Sequence, residues 1–173
     1  MSDILPSLTL VLGGQRSGKS VYAEGLICLD QIALYVATAQ ALDKEMKERV
    51  SAHKARRGKN WTTVEEPIDL ASALFKNDKA GRPILIDSLA MWISNLLAHG
   101  KDIEKQILAL VQAIENLESP LVIVSDEVGL GIIPDNDLAR SFIDKLGTLN
   151  QLISARADTV VFVKAGLPLH LKG

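Results

Sequence analysis

Residues 9–20 read Thr9-Leu10-Val11-Leu12-Gly13-Gly14-Gln15-Arg16-Ser17-Gly18-Lys19-Ser20. An apolar run rich in strand-forming residues leads into the pattern G-x-x-x-x-G-K-S, and a helix-like segment follows. A strand, a glycine-rich loop and a helix in this order are typical of a phosphate-binding loop. The glycines let successive backbone N–H groups point inward at an anion, and the helix start adds the positive end of its dipole. The stretch predicts an α/β nucleotide-binding fold.

Each part of this loop has a predicted role. We expect all eight residues from Gly13 to Ser20 to contact a nucleoside triphosphate, ATP or GTP. Lys19 is expected to reach the β- and γ-phosphates and to act in catalysis, and the Ser20 hydroxyl to help hold Mg²⁺.

The composition is typical of a globular protein of one domain. With 173 residues, 47% hydrophobic and 23% charged, the chain suits one domain spanning residues 1–173. A formal net charge of −2 argues against a general nucleic-acid binder. The one cysteine, Cys28, excludes an intrachain disulfide framework. We see no secretory leader and no apolar run of about 18 residues, so we expect a cytoplasmic protein without a membrane span.

Short apolar runs alternate with longer helical patterns, which indicates a parallel sheet covered by helices on both faces. The predicted strands are Leu8–Leu12, Ile32–Ala37, Ile84–Ile86, Leu121–Val124 and Thr159–Val163. The predicted helices are Lys19–Leu29, Lys44–Arg57, Leu70–Lys76, Leu89–Ala98, Ile103–Leu117 and Asn136–Ala155. The six prolines fall at predicted element edges or in loops, which supports these boundaries.

The loop after the second strand reads Ala37-Thr38-Ala39-Gln40. In an open parallel sheet, loops that leave the carboxyl ends of strands line the ligand crevice. Thr38 and Gln40 are therefore candidates to contact a nucleotide or a metal. Ordinary polar loop residues, with Asp43 capping the next helix, remain the alternative.

In the predicted helix 44–57, a histidine lies on the same face as the apolar residues. Met46, Val50 and His53 stand at i, i+4 and i+7. His53 is either a histidine satisfied at the edge of the core or a neutral imidazole aimed at the phosphate crevice. Several basic residues lie close to it, at Lys54, Arg56, Arg57 and Lys59. They suit a solvated face or a contact with phosphates.

Three acidic groups follow apolar runs. Glu65 and Glu66 end a possible short edge strand after Trp61, where a carboxylate can accept hydrogen bonds from guanine or simply lie in a loop. Asp87 follows the strand Ile84–Ile86, which is how such folds hold Mg²⁺. Asp126 and Glu127 follow a similar run. We prefer Asp87 as the metal-binding acid and give the later pair a supporting or substrate-binding role.

The segment from Val128 to Asp137 is apolar, contains two glycines and matches no regular element. It predicts a mobile loop over the crevice that ends in an Asp/Asn helix cap, since an apolar loop suits a bulky ligand better than water. A long strand-to-helix connection is the alternative.

These motifs, in this order, resemble one specific family over nearly the whole chain. The matching stretches are Gly13–Ser20, Ala37–Ala39, Arg49 through Lys54, Trp61 with Glu65, Asp87 leading to Trp92, Glu127–Pro134, Asn150–Leu152 and Ala165–Pro168. Together they look like the bifunctional adenosylcobinamide kinase/adenosylcobinamide-phosphate guanylyltransferase of cobalamin biosynthesis. The forms G-G-x-R-S-G-K-S and E-V-G-x-G-I-x-P are much more specific than a bare phosphate loop.

The resemblance implies a RecA-like P-loop fold, a homotrimer and a two-step activity. The enzyme would phosphorylate adenosylcobinamide and then transfer GMP from GTP to the phosphate, giving adenosylcobinamide-GDP through a GMP-histidine intermediate. The nucleophile falls on His53. The GTP contacts fall on the phosphate loop and on Ala37, Thr38, Ala39, Lys54, Ala55, Arg56, Arg57, Glu65 and Asp87.

One position departs from the family pattern. Members usually carry Asn before the Glu-Val-Gly stretch, where this chain has Asp126, so a hydrogen bond donated from that amide is lost. Two other readings of the residues compete with the bifunctional enzyme. One is a single-activity small-molecule kinase with a structural histidine, and the other is a non-catalytic nucleotide-gated binding module.

Overall fold

The computed structural model describes residues 5–27, 31–40 and 58–173. Its strands are β1 (Leu8–Gly13), β2 (Ala33–Ala37), β3 (Trp61–Glu65), β4 (Ile84–Asp87), β5 (Leu121–Asp126), β6 (Thr159–Lys164) and β7 (Leu167–Lys172). Its helices are α1 (Lys19–Gly25), α2 (Leu70–Asn77), α3 (Leu89–Ala98), α4 (Ile103–Glu115) and α5 (Asp137–Arg156).

The strands form one sheet in the order β3-β2-β4-β5-β1-β6-β7. β1 to β6 are parallel to their neighbours, and β7 pairs with β6 in the antiparallel direction. The predicted α/β class with a mostly parallel central sheet is therefore confirmed. β3 ends the sheet on one side, as expected of the short edge strand after residue 60.

Alternating side chains of the strands enter two cores on opposite faces of the sheet. One core joins strand residues such as Leu10 and Ile123 to buried residues of α2, α3, α4 and α5. The other joins Val11 and Val124 to Ala23 of α1. Helices thus cover both faces, as predicted, and the inner strands are mostly apolar because both of their faces are buried.

Several helix starts follow the expected capping chemistry. The side chains of Asp69, Ser88, Asp102 and Asn136 each accept a hydrogen bond from the backbone N–H three residues on. Such caps satisfy N–H groups that have no partner inside the helix. They fix where α2 to α5 begin and therefore where the loops before them end.

β7 is a strand that the sequence analysis left out. Pro168 had been placed at an edge or in a loop, but it lies within β7 opposite Val163. Proline is tolerated there because β7 is an edge strand, whose free side needs no N–H donor. The turn before it has positive φ at Ala165 and Gly166, with values of 53° and 80°. That pattern belongs to tight hairpin turns whose twist suits antiparallel strands.

None of the described helices is both long and apolar enough to cross a membrane. The predicted helix Lys44–Arg57 and Cys28 lie outside the described residues.

Candidate functional site

The glycine-rich loop connects β1 to α1, as its pattern predicted. A side chain at Gly13 would have its Cβ 2.5 Å from Ser17 Oγ and 2.6 Å from the Val163 carbonyl oxygen, so only glycine fits. Gly18 has a φ of 96°, which favours glycine, and packs against Gly166 of the β6–β7 turn. A hydrogen bond from Gly166 N to Ser17 O (2.8 Å) fixes this turn beneath the loop.

Lys19 begins α1 and is held in the crevice by two contacts. Its Nζ lies 2.7 Å from Asp126 Oδ1 and donates to the Gly14 carbonyl at 3.1 Å. The side chains of Lys19 and Asp126 are only 10% and 15% exposed, so the pair is shielded from most of the solvent. A cation in this position, at the start of a helix, is suited to meet an anionic ligand.

The buried oxygen of Ser17 supports a ligand in the same place. Ser17 Oγ is shielded and has no hydrogen-bond partner among the described residues. Buried polar atoms in native proteins are normally satisfied by protein, water or ligand. Gln15 and Arg16 are exposed at the tip of the loop, where Arg16 adopts a positive φ of 55°.

Strand register places Asp126 directly beside the phosphate loop. Asp126 is the partner of Gly13 in the β1–β5 ladder, and Glu127 N donates to the Gly13 carbonyl at 3.1 Å. The analysis from sequence alone gave the pair Asp126 and Glu127 a supporting or substrate-binding role. Contact with Lys19 agrees with a place in the site, and the role itself stays a prediction.

Asp87 ends β4 at the same edge of the sheet but one strand further from β1, because β5 lies between them. Its Oδ2 accepts a hydrogen bond from the Tyr35 hydroxyl at 2.9 Å. The bond between Asp87 and Ser88 is a cis peptide. A metal-binding role for Asp87 stays a prediction.

The loop after β2 is tied to the start of α3. Thr38 is fully buried; its Oγ1 accepts from Ser88 N and donates to Ser88 O, both at 2.8 Å. Asn95 Nδ2 donates to the Thr38 carbonyl at 2.7 Å and to the Pro67 carbonyl at 3.1 Å. These bonds fix the backbone at Thr38, and both the side chain and the backbone of Thr38 are hydrogen-bonded within the protein.

Glu65 lies at the opposite side of the site from the phosphate loop. It ends β3, in register with Ala37, which in turn is in register with Asp87. Three strands separate β3 from β1, so a spacing of about 4.8 Å puts the two about 19 Å apart. The predicted contacts among the described residues therefore form a row along the carboxyl ends of the strands. His53 and the residues Lys54, Ala55, Arg56 and Arg57 lie outside the described residues.

Some contributors to the site were missed from the sequence. Asn95 stands on a helix whose other inward residues are apolar, and a buried amide on such a face is a signal of a specific hydrogen-bonding task. Asn150 is another: its Oδ1 accepts from Ser125 Oγ at 2.6 Å, and its Nδ2 donates to the Asp126 carbonyl at 3.1 Å. Tyr35, which contacts Asp87, had no signal beyond its place in a strand.

The apolar segment after β5 has no regular structure, as predicted. Leu130, Ile132 and Ile133 are 81%, 97% and 77% exposed. Arg140 donates to the Pro134 carbonyl at 2.7 Å, which fixes the end of the segment against the first turn of α5.

The model of the cobinamide kinase / cobinamide phosphate guanyltransferase family matches residues 9–171. The chain belongs to this family. Members are named for both activities, so the chain is an enzyme of this bifunctional class, and the expected family and activity are confirmed.

Relatives of the family agree over nearly full length. The bifunctional adenosylcobalamin biosynthesis protein CobP of Pseudomonas aeruginosa is 43% identical over 167 residues, which cover 95% of this chain and 96% of that protein. The corresponding proteins named CobU of Salmonella typhimurium and Escherichia coli are 36% and 34% identical over 180 residues, covering 95% of this chain and 99% of each relative.

Solved structures show the same fold at low identity. The P4 protein of bacteriophage phi6, determined with ADP, has a TM-score of 0.53 at 12% identity, covering 95% of this chain and 54% of that one. An ATPase of a bacterial type III secretion system has a TM-score of 0.52 at 11% identity, covering 95% and 56%. The predicted P-loop NTPase fold is confirmed, and at this identity the likeness concerns the fold alone.

Proposed function

We propose that this enzyme phosphorylates the aminopropanol hydroxyl of adenosylcobinamide with ATP or GTP and then transfers GMP from GTP to the new phosphate. The product is adenosylcobinamide-GDP. The observation that carries the proposal is the placement of Lys19 and the glycine loop at the carboxyl end of β1, in a chain that matches a family named for both activities.

The phosphate loop supplies electrostatic stabilisation in both reactions. Backbone N–H groups of the loop and the ammonium of Lys19 offset charge on the γ-phosphate during phosphoryl transfer. The same groups offset charge on the pyrophosphate that leaves during guanylyl transfer. Lys19 must exchange Asp126 for a phosphate oxygen when the nucleotide binds.

His53 is proposed as the nucleophile of the second reaction, with support from the family resemblance. Its neutral imidazole nitrogen attacks the α-phosphorus of GTP, and the bond to the β-phosphate oxygen breaks to release pyrophosphate. A phosphate oxygen of adenosylcobinamide phosphate then attacks the same phosphorus, and the imidazole leaves as the N–P bond breaks. Lys54, Ala55, Arg56 and Arg57 are proposed to contact the nucleotide beside it.

We propose Mg²⁺ as the metal that accompanies the nucleotide, held by Ser20 and Asp87. Hydroxyl and carboxylate oxygens are the hard donors that Mg²⁺ prefers, and the ion commonly binds through one or two protein oxygens, phosphates and water. The described residues contain no group of three or more His, Cys, Asp or Glu that could hold a metal by itself, and a nucleotide-bound Mg²⁺ needs none. When bound, the ion offsets phosphate charge. Ser20 and Asp87 would hold the ion beside the triphosphate.

Glu65 and the residues Ala37, Thr38 and Ala39 are proposed to bind the remainder of GTP. Their support is the row of strand ends that starts at the phosphate loop and reaches β3. A carboxylate at the far end can accept hydrogen bonds from the N1–H and exocyclic amine of guanine.

We further propose a homotrimer that works in the cytoplasm, where ATP and GTP are available. The family resemblance supports the trimer, and β7 leaves three leucines exposed on an edge strand, at Leu167, Leu169 and Leu171. Light scattering of the purified protein measures the oligomer directly.

Labelled GTP tests the proposed function. With label on the α-phosphate, the wild-type chain should retain acid-labile, base-stable label, and His53→Ala should retain none. The matched control is His170→Ala, which removes an exposed histidine of β7 and should label normally. Label that survives His53→Ala contradicts the nucleophile. Phosphoryl transfer from γ-labelled nucleotide without any covalent nucleotide favours the single-activity kinase. Binding without turnover favours the nucleotide-gated module.

A further inference from the structure

A pocket of about 410 Å³ lies between α5 and the segment after β5. We call it the α5 pocket. Its polar lining residues are Glu127, Asp144, Thr148, Asn150 and Gln151, together with the backbone of Gly147. Residues 144, 147, 148 and 151 share one face of α5 because helical neighbours recur every three or four positions. The opposite face of α5 carries the buried residues Leu146, Leu149 and Ile153.

The α5 pocket is joined to the phosphate site by a short chain of contacts. Asn150, which lines the pocket, donates to the Asp126 carbonyl at 3.1 Å. The Asp126 carboxylate in turn lies 2.7 Å from Lys19 Nζ. A molecule in the pocket therefore lies near Lys19, whose ammonium is proposed to offset the charge of the transferred phosphate.

Gly147 keeps the pocket open. Glycine inside an exposed helix costs about 1 kcal/mol relative to alanine. Packing does not require it here, because a Cβ built at Gly147 meets nothing within 4 Å. The space that a side chain would occupy belongs to the pocket, so the glycine leaves room for a ligand.

The charges of the pocket select against phosphate. The described lining residues include the carboxylates of Glu127 and Asp144 and no basic side chain. Glu127 is held in place, since its Oε1 accepts a hydrogen bond from Gly129 N at 2.7 Å. Carboxylates beside amide and hydroxyl groups suit a ligand that is neutral or cationic and rich in hydrogen-bonding amides.

An apolar surface continues from the pocket. The segment that begins at Glu127 runs on to Leu130, Ile132 and Ile133, all largely exposed. Exposed apolar groups next to a pocket are typical of a ligand-binding surface. A ligand with a polar arm and a large apolar ring matches both features.

We propose that the α5 pocket binds amide side chains of the corrinoid acceptor, with the ring lying against Leu130, Ile132 and Ile133 and the aminopropanol arm, which becomes phosphorylated, outside the pocket. This inference rests on the proposed function. A corrinoid carries amide side chains around a ring whose cobalt(III) centre is positively charged, in agreement with the carboxylates. Since the pocket is smaller than a corrinoid, it receives one edge of the molecule and directs the arm toward Lys19.

The test fills the pocket and measures the two substrates separately. Gly147→Leu should raise KM for adenosylcobinamide at least about tenfold, because added methylenes in a fitted pocket cost one to two orders of magnitude. The dissociation constant of a fluorescent GTP analogue should stay within about twofold of wild type, since Gly147 is not among the residues proposed to contact the nucleotide. Ala155→Leu adds the same side chain to an exposed position of α5 and should change neither value.

If Gly147→Leu does not fold, Asp144→Asn and Gln151→Ala replace it. Both positions are exposed, so we expect these variants to fold. Each should weaken adenosylcobinamide binding, measured by equilibrium dialysis, by about two- to fivefold while leaving GTP binding unchanged. If all folded variants of an active enzyme bind the corrinoid as wild type does, the proposed role of the pocket is wrong and the proposed function still stands. Equal weakening of nucleotide and corrinoid also overturns the role of the pocket. A wild-type chain that neither binds nor phosphorylates adenosylcobinamide overturns the proposed function as well.

Discussion

Asp87 and Asp126 end neighbouring parallel strands after similar apolar runs, yet their side chains meet different partners. Asp126 forms a largely buried ion pair with Lys19, with 2.7 Å between Nζ and Oδ1. Asp87 accepts a hydrogen bond from the Tyr35 hydroxyl at 2.9 Å. A lysine offsets the charge of a carboxylate, whereas a hydroxyl stabilises the charge and leaves it in place. Similar sequence contexts thus give two chemically distinct acids.

The difference assigns different tasks to the two strand ends. When Lys19 binds the phosphates of the nucleotide, Asp126 loses its positively charged partner. The nucleotide therefore competes with Asp126 for the lysine. Asp87, whose described contact is with the Tyr35 hydroxyl and not with Lys19, takes no part in that exchange. We therefore expect substitution of Asp126 to change nucleotide affinity and substitution of Asp87 to change metal-supported activity.

Among variants that separate the two strand ends, the largest effect is expected from Gly13→Ala, which changes the phosphate loop after β1 and leaves Asp87 untouched. Its Cβ would lie 2.5 Å from Ser17 Oγ and 2.6 Å from the Val163 carbonyl. Relief of such overpacking costs about 2–3 kcal/mol, so GTP affinity measured by calorimetry should fall roughly 30- to 150-fold. Gly14→Ala is the matched control, because a Cβ there meets nothing within 4 Å. Equal affinities of the two variants would contradict the packing of this loop.

Asp87→Asn should follow in magnitude. Loss of the carboxylate that is proposed to bind the metal is expected to lower the Mg²⁺-supported rate of adenosylcobinamide phosphorylation about thirtyfold. Nucleotide affinity without metal should be preserved, because the phosphate loop is untouched. If Asp87→Asn keeps the rate and Asp126→Asn loses it, the assignments of the two acids must be exchanged.

Asp126→Asn should produce a smaller change of opposite sign. The neutral amide no longer competes with phosphate for Lys19, so GTP affinity should rise about fivefold, equivalent to about 1 kcal/mol. The nucleotide-free protein should unfold at a lower temperature, since the shielded Lys19 ammonium loses its counter-charge. Weaker GTP binding in a folded variant would show that Asp126 helps to hold the nucleotide instead.

The smallest effect is expected from Tyr35→Phe. The ring keeps its edge-to-face contact with Trp61, whose centroid lies 6.2 Å away, and the hydrogen bond to Asp87 is lost. The free energy of unfolding in urea should fall by about 0.5 kcal/mol. Tyr22→Phe, on α1, controls for removal of a hydroxyl as such. Identical unfolding midpoints for both variants would mean that the bond to Asp87 contributes no stability.

The sequence alone predicted the elements well because each carries a local signal. Buried parallel strands read as short apolar runs, and Asp102 or Asn136 announces the helix that follows it. β7 was missed since Pro168 counts against a strand. The alternation of leucine along the segment is itself a strand pattern, and β7 pairs with β6. Edge strands receive much of their definition from their neighbour.

The site was predicted only in part, because some of its features are local patterns and others depend on contacts between distant parts of the chain. The phosphate loop is a local pattern and could be read directly. The relation between Asp87 and Asp126 depends on strand order, which inserts β5 between β1 and β4. Contacts such as Asn95 to Thr38 join residues far apart in the chain, so no local pattern could pair them.

The central claim is that one phosphate loop serves both transfers, and Lys19→Met tests it most directly. The two half-reactions are assayed separately: phosphorylation of adenosylcobinamide by ATP, and guanylylation of supplied adenosylcobinamide phosphate by GTP. Both rates should fall at least about hundredfold, whereas Lys164→Met, at the exposed end of β6, should lower neither. Guanylyl transfer that continues near the wild-type rate while phosphorylation is lost would contradict a shared loop.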